Sequence, residues 1–350
     1  MAIKANFTAG LLSVTGDNGS DDITVKRDLA GNILVNDGAV SVQGDPPPTL
    51  VNTTEIDVFG GNGNDTISLD NVAPPAGQAL PTAHLFGGNG NDTLTGGAGN
   101  DILDGGNGDD TVVGGKGNDM ASLGAGNDTF IWNNGDGSDK VEGQAGFDTL
   151  VFNGNGLASS IETITISAHD GRATLFRTQG NVTMDLNSVE RIELNALGGA
   201  DNITVNDKDL AGTDVKEVAI DLGADEQADT VNIATNGQAI TVTDNNGMLT
   251  VSGLASTLTI SNFDTKDNDQ LFINGKIVPV TEGQTVTVDA VSSDNTSGTS
   301  TASDGSHAAS PALLGQHMAS SFAPAGDGHG ATPIANQSET QQPLLAQPHS

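Results

Sequence analysis

Aspartates recur every nine residues between Gly87 and Phe130, each at the end of a glycine-rich turn. The unit reads Gly-Gly-x-Gly-x-Asp and is followed two residues later by a side chain that is usually apolar. Carboxylates and glycine carbonyls are oxygen donors, and an all-oxygen donor set favours Ca²⁺ over Zn²⁺ or copper. Mg²⁺ fits less well, because it demands stricter octahedral geometry. The strict hexad begins at Gly60, Gly87, Gly96, Gly105 and Gly114.

The same unit specifies the elements that position these aspartates. Three glycines in six residues permit positive φ, so the hexad is predicted to be a turn. The next three residues form a short strand with its central side chain inward, as at Thr93–Thr95. Alternating strands and turns predict a parallel β-solenoid in which each turn stacks on the turn eighteen residues later. Asp110 is then placed between Asp92 and Asp128.

The predicted stacking brings like charges together with little to compensate them. Between Thr54 and Phe152 the only basic residues are Lys116 and Lys140, in a chain whose formal net charge is −33. Stacked carboxylates repel one another. Burying one apolar side chain per unit contributes about 1.5 to 3 kcal/mol, whereas ordering nine backbones costs about 9 to 18 kcal/mol. The sequence therefore predicts that a bound hard cation stabilises this segment.

The repeat unit resembles the Gly-Gly-x-Gly-x-Asp-x-hydrophobic-x nonapeptide of the RTX (repeats-in-toxin, hemolysin-type) calcium-binding proteins. The resemblance covers residues 54–152 and implies a parallel β-roll that folds on binding several Ca²⁺ ions. Such rolls usually occur in proteins exported by type I secretion. The resemblance implies that the Ca²⁺ ligands are the carboxylates of Asp92, Asp101, Asp110, Asp119 and Asp128 and the carbonyls of Gly88, Gly90, Gly97, Gly99, Gly106, Gly108, Gly115 and Gly117, with Asp65, Asp139 and Asp148 as further candidates.

Composition divides the chain into four segments, and the predicted fold class is all-β. Residues 1–53 are expected to form an N-terminal β-cap with one degenerate repeat and a proline linker, and residues 54–152 the β-roll. Residues 153–290 are expected to be β-rich and solenoid-like, with degenerate repeats. Residues 291–350 lack Lys and Arg and are expected to be a disordered tail that resembles RTX C-terminal secretion signals.

Irregularities in the repeat give finer expectations. Asp65 precedes Asp92 by 27 residues, or three units, which in an unbroken coil places them in opposite turn columns. Larger apolar residues near Trp132 predict a cap on the last coil, with an aromatic sugar-binding platform as the alternative. His84 is expected to be a solvent-facing strand residue, although it lies near a candidate metal site. Asp21 is either a solvated turn aspartate or a degenerate repeat ligand.

Apolar pairs at nine-residue spacing continue between Val231 and Ile260 and predict further solenoid rungs without the calcium ligands. Asp201 and Asp229 are followed by an apolar residue at the second position, as in the repeat, so they are interpreted as worn half-units. The segment Ile273-Asn274-Gly275-Lys276-Ile277 has the pattern of a two-residue β-hairpin and predicts an antiparallel end to the winding.

Composition and motifs limit the function classes. The chain has no His-Glu-x-x-His, no Gly-x-Ser-x-Gly, no P-loop and no cysteine, so we predict that it is not an enzyme. Its acidity argues against nucleic acid as a partner and against anionic membranes. No stretch approaches 18 consecutive apolar residues, so no membrane insertion is expected.

The predicted function is calcium binding by an extracellular protein that folds on Ca²⁺ outside the cell. The start Met1–Phe7 lacks the pattern of a cleaved signal peptide, so export without one, by type I secretion, is expected. A calcium-stiffened adhesin or surface-layer element is the first alternative, and a polysaccharide-modifying enzyme is the second. A cell-surface or polysaccharide partner is compatible with both, but no residue identifies it.

Overall fold

The computed structural model describes residues 3–69 and 80–288 with their side chains, and beyond them the backbone of short strands between residues 297 and 336. Nearly all of the regular structure is β-strand. All but two of the described strands form two long sheets that face each other across a single apolar core. The predicted all-β class, with a parallel β-roll over the repeats, is confirmed.

The strand bounds follow in chain order. The strands before the repeats are β1 (Lys4–Thr8), β2 (Leu11–Thr15), β3 (Asp22–Arg27), β4 (Ile33–Val35) and β5 (Val42–Gln43). Those of the repeats are β6 (Glu55–Asn62), β7 (Thr66–Leu69), β8 (Thr82–Asn89), β9 (Thr93–Thr95), β10 (Ile102–Asn107), β11 (Thr111–Val113), β12 (Met120–Ala125), β13 (Thr129–Trp132), β14 (Lys140–Ala145) and β15 (Thr149–Asn153).

The remaining elements lie C-terminal to the repeats, apart from a 3₁₀ turn at Asn36–Gly38. They are β16 (Thr163–His169), β17 (Arg172–Arg177), β18 (Val182–Asn187), β19 (Arg191–Asn195), β20 (Asn202–Val205), the helical turn α1 (Asp207–Leu210), β21 (Glu217–Asp221), β22 (Thr230–Ile233), β23 (Ile240–Asn245), β24 (Met248–Ser252), β25 (Thr257–Ser261), β26 (Gln270–Ile273), β27 (Lys276–Val278) and β28 (Thr285–Val288). Backbone strands follow at β29 (Ser297–Ser303), β30 (Ala308–Ala309), β31 (Ala312–Leu314), β32 (Phe322–Pro324) and β33 (Ile334–Asn336).

Consecutive strands of the repeats alternate between the two sheets. Sheet 1 has the order β5-β1-β2-β6-β8-β10-β12-β14-β18-β17-β16-β20-β22-β26-β27. Sheet 2 has the order β4-β3-β7-β9-β11-β13-β15-β19-β21-β25-β24-β23-β28-β29-β30. From β6 to β15 every pairing between neighbouring strands of a sheet is parallel. One strand from each sheet therefore makes one coil.

The core explains why these short segments form strands. In β10 and β11 the inward-facing residues Leu103 and Val112 are fully buried, while neighbouring Ile102 is 41% exposed on the outer face. Leu103 pairs in register with Leu85 of the preceding coil, so like residues stack along the solenoid. Three-residue strands are too short to be stable alone, and this stacking is what stabilises them.

The coil that contains Asp65 corrects one expectation. β6 pairs directly with β8, with Gly61 opposite Gly88, and β7 pairs with β9. Asp65 and Asp92 therefore lie in the same turn column, and the prediction of opposite columns is wrong. The extra residues fall between β7 and β8 and do not add a strand to either sheet among the described residues.

The coil around Trp132 is not an end of the solenoid. β13 pairs with β15, and β15 pairs with β19, so sheet 2 continues past the predicted cap. Trp132 is fully buried and stacks on Phe152 with ring centroids 4.0 Å apart. Its indole N–H donates to the carbonyl of Gly137 at 2.8 Å. Neither the cap nor the exposed sugar platform describes this residue, which belongs to the core.

The second half combines parallel coils with hairpins. β17 pairs antiparallel with both β16 and β18, and β24 pairs antiparallel with both β23 and β25. The nine-residue spacing of apolar pairs from β23 to β25 therefore reflects strand-turn-strand hairpins, not solenoid rungs. The hairpin predicted at Asn274-Gly275 is present between β26 and β27.

The N-terminal strands join the same two sheets, since β2 pairs with β6 and β3 with β7. Of the expected disordered tail at 291–350, the structure gives strand backbones alone, and the rest lies outside the described residues. In the part of the chain that is described, no helix has the length and apolar character needed to cross a membrane.

Replacing the buried Leu103 with alanine tests the stacked core. Leu103→Ala should lower the free energy of unfolding by about 2 to 5 kcal/mol, because it leaves a cavity between two coils. Ile102→Ala, on the outer face of the same strand, should change it by less than about 0.5 kcal/mol. Urea unfolding in calcium, followed by circular dichroism, measures both. Equal losses in the two variants would contradict the burial pattern.

Candidate metal centre

The predicted ligands lie in two columns of turns at the edges of the sheets. Column I contains the turns that lead from sheet 1 into sheet 2, and column II contains those that lead back. The last residue of each turn immediately precedes a strand, so the strand register fixes its height in the column. The structure places Asp65, Asp92, Asp110, Asp128 and Asp148 in column I, and Asp101, Asp119 and Asp139 in column II.

In column I these aspartates form a continuous ladder of hydrogen bonds. The backbone N–H of Asp92 donates to Oδ1 of Asp110 at 2.7 Å, and the N–H of Asp110 donates to Oδ1 of Asp128 at 2.7 Å. Asp65 joins the ladder through its N–H, which donates to Asp92 at 2.7 Å. Asp21 continues it toward the N-terminus by donating to Asp65 at 2.7 Å. Asp21 thus holds a ladder position.

Column II repeats the arrangement over fewer coils. The N–H of Asp101 donates to Oδ1 of Asp119 at 2.8 Å, and that of Asp119 donates to Oδ1 of Asp139 at 2.9 Å. Asp139 keeps its place although it follows Asp119 by 20 residues instead of 18. The column starts where the N–H of Ala83 donates to Asp101 at 3.1 Å.

The second carboxylate oxygen of each predicted ligand has no hydrogen-bond partner among the described residues. These Oδ2 atoms are buried, and so are the side chains, which are at most 3% exposed. A buried charged oxygen without a donor is unfavourable unless a positive group compensates it. The atoms are Oδ2 of Asp65, Asp92, Asp101, Asp110, Asp119, Asp128, Asp139 and Asp148.

The first glycine of the hexad leaves the space that this oxygen occupies. A Cβ on Gly105 would lie 2.6 Å from Oδ2 of Asp110 and 2.3 Å from the carbonyl oxygen of Leu123. Gly87 stands in the same relation to Asp92, at 2.5 Å. Glycine is required here for space, because each turn folds back on its own aspartate.

The glycines predicted to offer carbonyl ligands have positive φ. Gly88 has φ 115° and Gly90 has φ 120°. The carbonyl oxygen of Gly88 lies 2.2 Å from where a Cβ of Gly106 would stand, so the turns of successive coils approach closely. The other predicted carbonyl ligands share positive φ, at Gly97, Gly99, Gly106, Gly108, Gly115 and Gly117. The ligand atoms predicted in these turns are all carboxylate or carbonyl oxygens, which suits a hard cation; coordination of Ca²⁺ by each of them stays a prediction.

The variable position before each ladder aspartate also has a role that the sequence analysis missed. It is usually asparagine, and its side chain accepts a backbone N–H from the next coil: Asn91 accepts from Asp109 at 3.1 Å, and Asn100 accepts from Asn118 at 2.9 Å. These bonds lie on the exposed side of the turn. The recurrence of asparagine before the aspartate in successive repeats could have indicated this hydrogen-bonding role.

Burial raises the pKa of the ladder aspartates well above the ordinary value. Desolvation is the largest cause; at Asp110 the like charges of Asp128 and Asp92 add to it, whereas the N–H that Asp92 donates acts in the opposite direction. The pKa is raised to about 6 at Asp92, Asp119 and Asp148, to about 7 at Asp101 and Asp110, and to about 8 at Asp139.

Basic side chains compensate the carboxylates at two places C-terminal to the repeats. Column I ends at Glu190, whose Oε2 accepts the N–H of Asp148 at 2.9 Å. The next coil has Lys216 at the ladder position, and its Nζ lies 3.8 Å from Oε1 of Glu190. In column II the buried Glu162 forms an ion pair with the buried Arg177. The sequence analysis missed both glutamates, because neither follows a glycine hexad.

His84 does not join either ladder. It lies in β8 on the outer face of sheet 1, with Nδ1 at 3.1 Å from Oδ1 of Asp57 and 3.3 Å from Oε1 of Glu55. These three side chains form a partly exposed group, separate from the turns. The expectation of a strand histidine on the solvent side is consistent with its half-buried position, although it has carboxylate neighbours.

Comparison with protein families identifies the repeat. The RTX calcium-binding nonapeptide repeat (4 copies) matches residues 57–71, 86–121, 104–131 and 133–151. These residues are RTX calcium-binding repeats. The RTX matches contain both columns of the repeat region, from Asp65 to Asp148, and the repeats are calcium-binding repeats. No curated protein matches the chain.

Acidification should stabilise the metal-free RTX roll. The folded-state pKa values of about 6 to 8 exceed the unfolded value of about 3.9, so the folded chain binds more protons between those limits. The free energy of unfolding should therefore be highest at acid pH and fall as pH rises through the folded-state pKa values. The folded fraction of calcium-stripped protein, followed by far-UV circular dichroism at about pH 5, 6.5 and 8, measures this.

High salt separates the ladder effect from general surface repulsion. Exposed charges are screened within a Debye length of about 3 Å at 1 M salt, whereas buried carboxylates are screened much less. The pH dependence should therefore persist in 1 M salt. A metal-free roll that becomes less stable on acidification to about pH 5 would contradict the raised pKa values.

Gly105→Ala tests the space that the turn requires. Its methyl group would overlap Oδ2 of Asp110 and the carbonyl of Leu123, so we expect a loss of about 1 to 3 kcal/mol in unfolding free energy. Gly212→Ala is the matched control, since a Cβ there meets nothing within 4 Å. Thermal unfolding in calcium compares them, and a harmless Gly105→Ala would show that the turn can relax.

Proposed function

We propose that the RTX ladders bind several Ca²⁺ ions and that this binding folds the roll outside the cell. The observation that supports this most strongly is the row of buried Oδ2 atoms without a hydrogen-bond donor. Bound Ca²⁺ would supply the positive charge that these oxygens lack. The proposed ligands are the eight ladder aspartates from Asp65 to Asp148, with glycine carbonyls of the same turns.

The two ends of the ladders support the need for positive charge. Where Lys216 replaces aspartate in column I, and where Arg177 pairs with Glu162, the chain provides its own cation. Between Asp65 and Asp148 no described ladder aspartate forms an ion pair with a basic side chain. This uncompensated stretch is the part of the solenoid whose folding we propose to depend on calcium.

Calcium binding is coupled to folding of the roll. Because the unfolded chain has no preformed site, the free energy of binding becomes free energy of folding. Extracellular calcium modules bind with Kd values of about 10⁻⁴ to 10⁻³ M, so their sites fill outside cells rather than in the cytosol. An acidic chain, with net charge −33, would remain expanded until then.

We infer that the chain is exported unfolded, by type I secretion. The supporting features are the RTX repeats and the acidic, Lys- and Arg-free residues 291–350. Secretion of the full chain, compared with a chain truncated after residue 290, from a host with and without a type I exporter tests this route. Export of both chains without the exporter would exclude it.

A second candidate is a calcium-stiffened spacer in an adhesin or a surface layer. The continuity of sheet 1 supports it: fifteen strands at about 4.8 Å spacing extend about 70 Å. Assembly on adding calcium, followed by light scattering, distinguishes it from a protein that stays monomeric. Turnover of a uronate polymer would instead support a polysaccharide-modifying enzyme.

Asp110→Asn tests the proposed ligands at the centre of column I. Asparagine keeps the Oδ1 acceptor for the N–H of Asp92 but removes the charge. We expect the calcium concentration at the folding midpoint to rise roughly tenfold, equivalent to about 1.4 kcal/mol. Far-UV circular dichroism during a calcium titration measures the midpoint.

Asp109→Asn is the matched control, because Asp109 is exposed and other repeats, such as the one with Asn91, have asparagine there. It should leave the midpoint within about twofold of the parent chain. Two further results would reject the proposal: a roll fully folded without calcium at neutral pH, or Mg²⁺ acting as well as Ca²⁺.

A further inference from the structure

A third run of stacked carboxylates lies outside the residues that match the RTX repeat. We call Asp201, Asp229 and Asp269 the C-terminal ladder; they precede β20, β22 and β26 in column II. The N–H of Asp201 donates to Oδ1 of Asp229 at 2.7 Å, and the N–H of Asp229 donates to Oδ1 of Asp269 at 2.9 Å. The spacings of 28 and 40 residues explain why no repeat reveals it.

Its coils have the same backbone bonding as the RTX coils. The residue after the ladder aspartate donates its N–H to the ladder carbonyl of the preceding coil. Thr230 donates in this way to Asp201 at 2.8 Å, as Thr111 donates to Asp92 at 2.8 Å. The two arrangements are therefore alike in both main-chain and carboxylate bonds, although the glycine hexad is missing from the second.

The side chain of Asp201 has a buried oxygen that points to a bound ligand. Its side chain is 1% exposed, and Oδ1 accepts the N–H of Glu162 at 2.8 Å. Its Oδ2 is buried without a hydrogen-bond partner, as in the RTX aspartates. Such an oxygen has lost its water without gaining a donor.

Other oxygen atoms lie in the same turns. Asp225 belongs to the next coil, and its Oδ2 accepts the N–H of Gly199 at 2.5 Å, which brings a further carboxylate to the turn of Asp201. Gly199 has φ 116°, and a Cβ there would lie 1.7 Å from the carbonyl oxygen of Ser160 and 3.4 Å from that of Leu157. Carboxylate and carbonyl oxygens are the donors that Ca²⁺ prefers.

Basic side chains do not neutralise this group. Arg177 pairs with Glu162, one coil away. Within residues 3–69 and 80–288, the ion pairs include none of Asp201, Asp225 and Asp229. No basic side chain therefore compensates these three carboxylates, and at Asp201 the buried Oδ2 also lacks a hydrogen-bond donor.

We propose that Asp201, Asp225 and Asp229 form a Ca²⁺ site of their own, outside the RTX repeats. The proposal rests on the calcium function proposed for the RTX ladders, because the same stacking of carboxylates supports both. It gives residues 153–290 a bound ion in addition to their apolar core. The half-repeats that retain Asp-x-apolar would then also retain a ligand role.

The test is calcium titration of the full chain carrying both Asp201→Asn and Asp229→Asn. Asparagine keeps the Oδ1 acceptors of the ladder, so the bonds between coils are retained while the charge is lost. Isothermal titration should show at least one bound ion fewer per chain than the parent protein. Asp170→Asn is the matched control: its side chain is 86% exposed, in the β16–β17 hairpin, and its stoichiometry should be unchanged.

Thermal unfolding adds a readout that distinguishes a ligand from a structural residue. The double variant should melt higher than the parent in calcium-free buffer, because like charges are removed, and should gain less on adding calcium. A variant that melts lower without calcium, or that binds as many ions as the parent, overturns the site. A parent chain that binds no calcium at all instead refutes the proposed function of the RTX ladders.

Discussion

The hydrogen bond from each ladder amide to the carboxylate of the next coil is the interaction on which the structure depends. It places a carboxylate at every coil, at a height set by the strand register, and it uses one oxygen while leaving the other buried. The glycine at the start of each hexad has no Cβ because that second oxygen fills the space. Geometry that satisfies the backbone therefore creates an electrostatic cost that the apolar core does not remove.

The chain meets this cost in two ways. At Glu190 and Glu162 a basic side chain is built in, from Lys216 and Arg177 respectively. Along the RTX turns and the C-terminal ladder the described residues supply no such partner, and the buried Oδ2 atoms of the RTX aspartates and of Asp201 stay available to an ion from solution. A built-in basic side chain and a bound ion are alternatives at equivalent positions of one solenoid. The basic side chains near the residue before each strand therefore distinguish coils whose carboxylates are neutralised by the chain from coils whose carboxylates are not.

The repeat predicted the RTX part of the fold well, because a nine-residue unit leaves one way to wind and the stacking of Asp92 on Asp110 follows from it. It failed at Asp65, since an insertion between two strands changes the residue count without changing the column. It also failed between β23 and β25. A solenoid strand with its turn and a hairpin strand with its turn can both take nine residues, so the spacing of apolar residues does not distinguish them. Glu190 could not be found from the motif, as it differs in residue type and lacks the hexad.

The ladders have a direction, and that direction has a consequence for how a stack ends. In column I the ladder amides donate toward the C-terminal neighbour, as Asp92 does to Asp110 and Asp110 to Asp128. A coil added on the N-terminal side of an existing one finds its acceptor already in place. A coil added on the C-terminal side brings the acceptor for the amide of the coil before it and presents a new amide of its own. A stack of any length therefore has one ladder amide to satisfy at its C-terminal end, and column I is closed there by Glu190, which accepts the N–H of Asp148 and donates its own N–H back to the carbonyl of Asp148 at 3.0 Å.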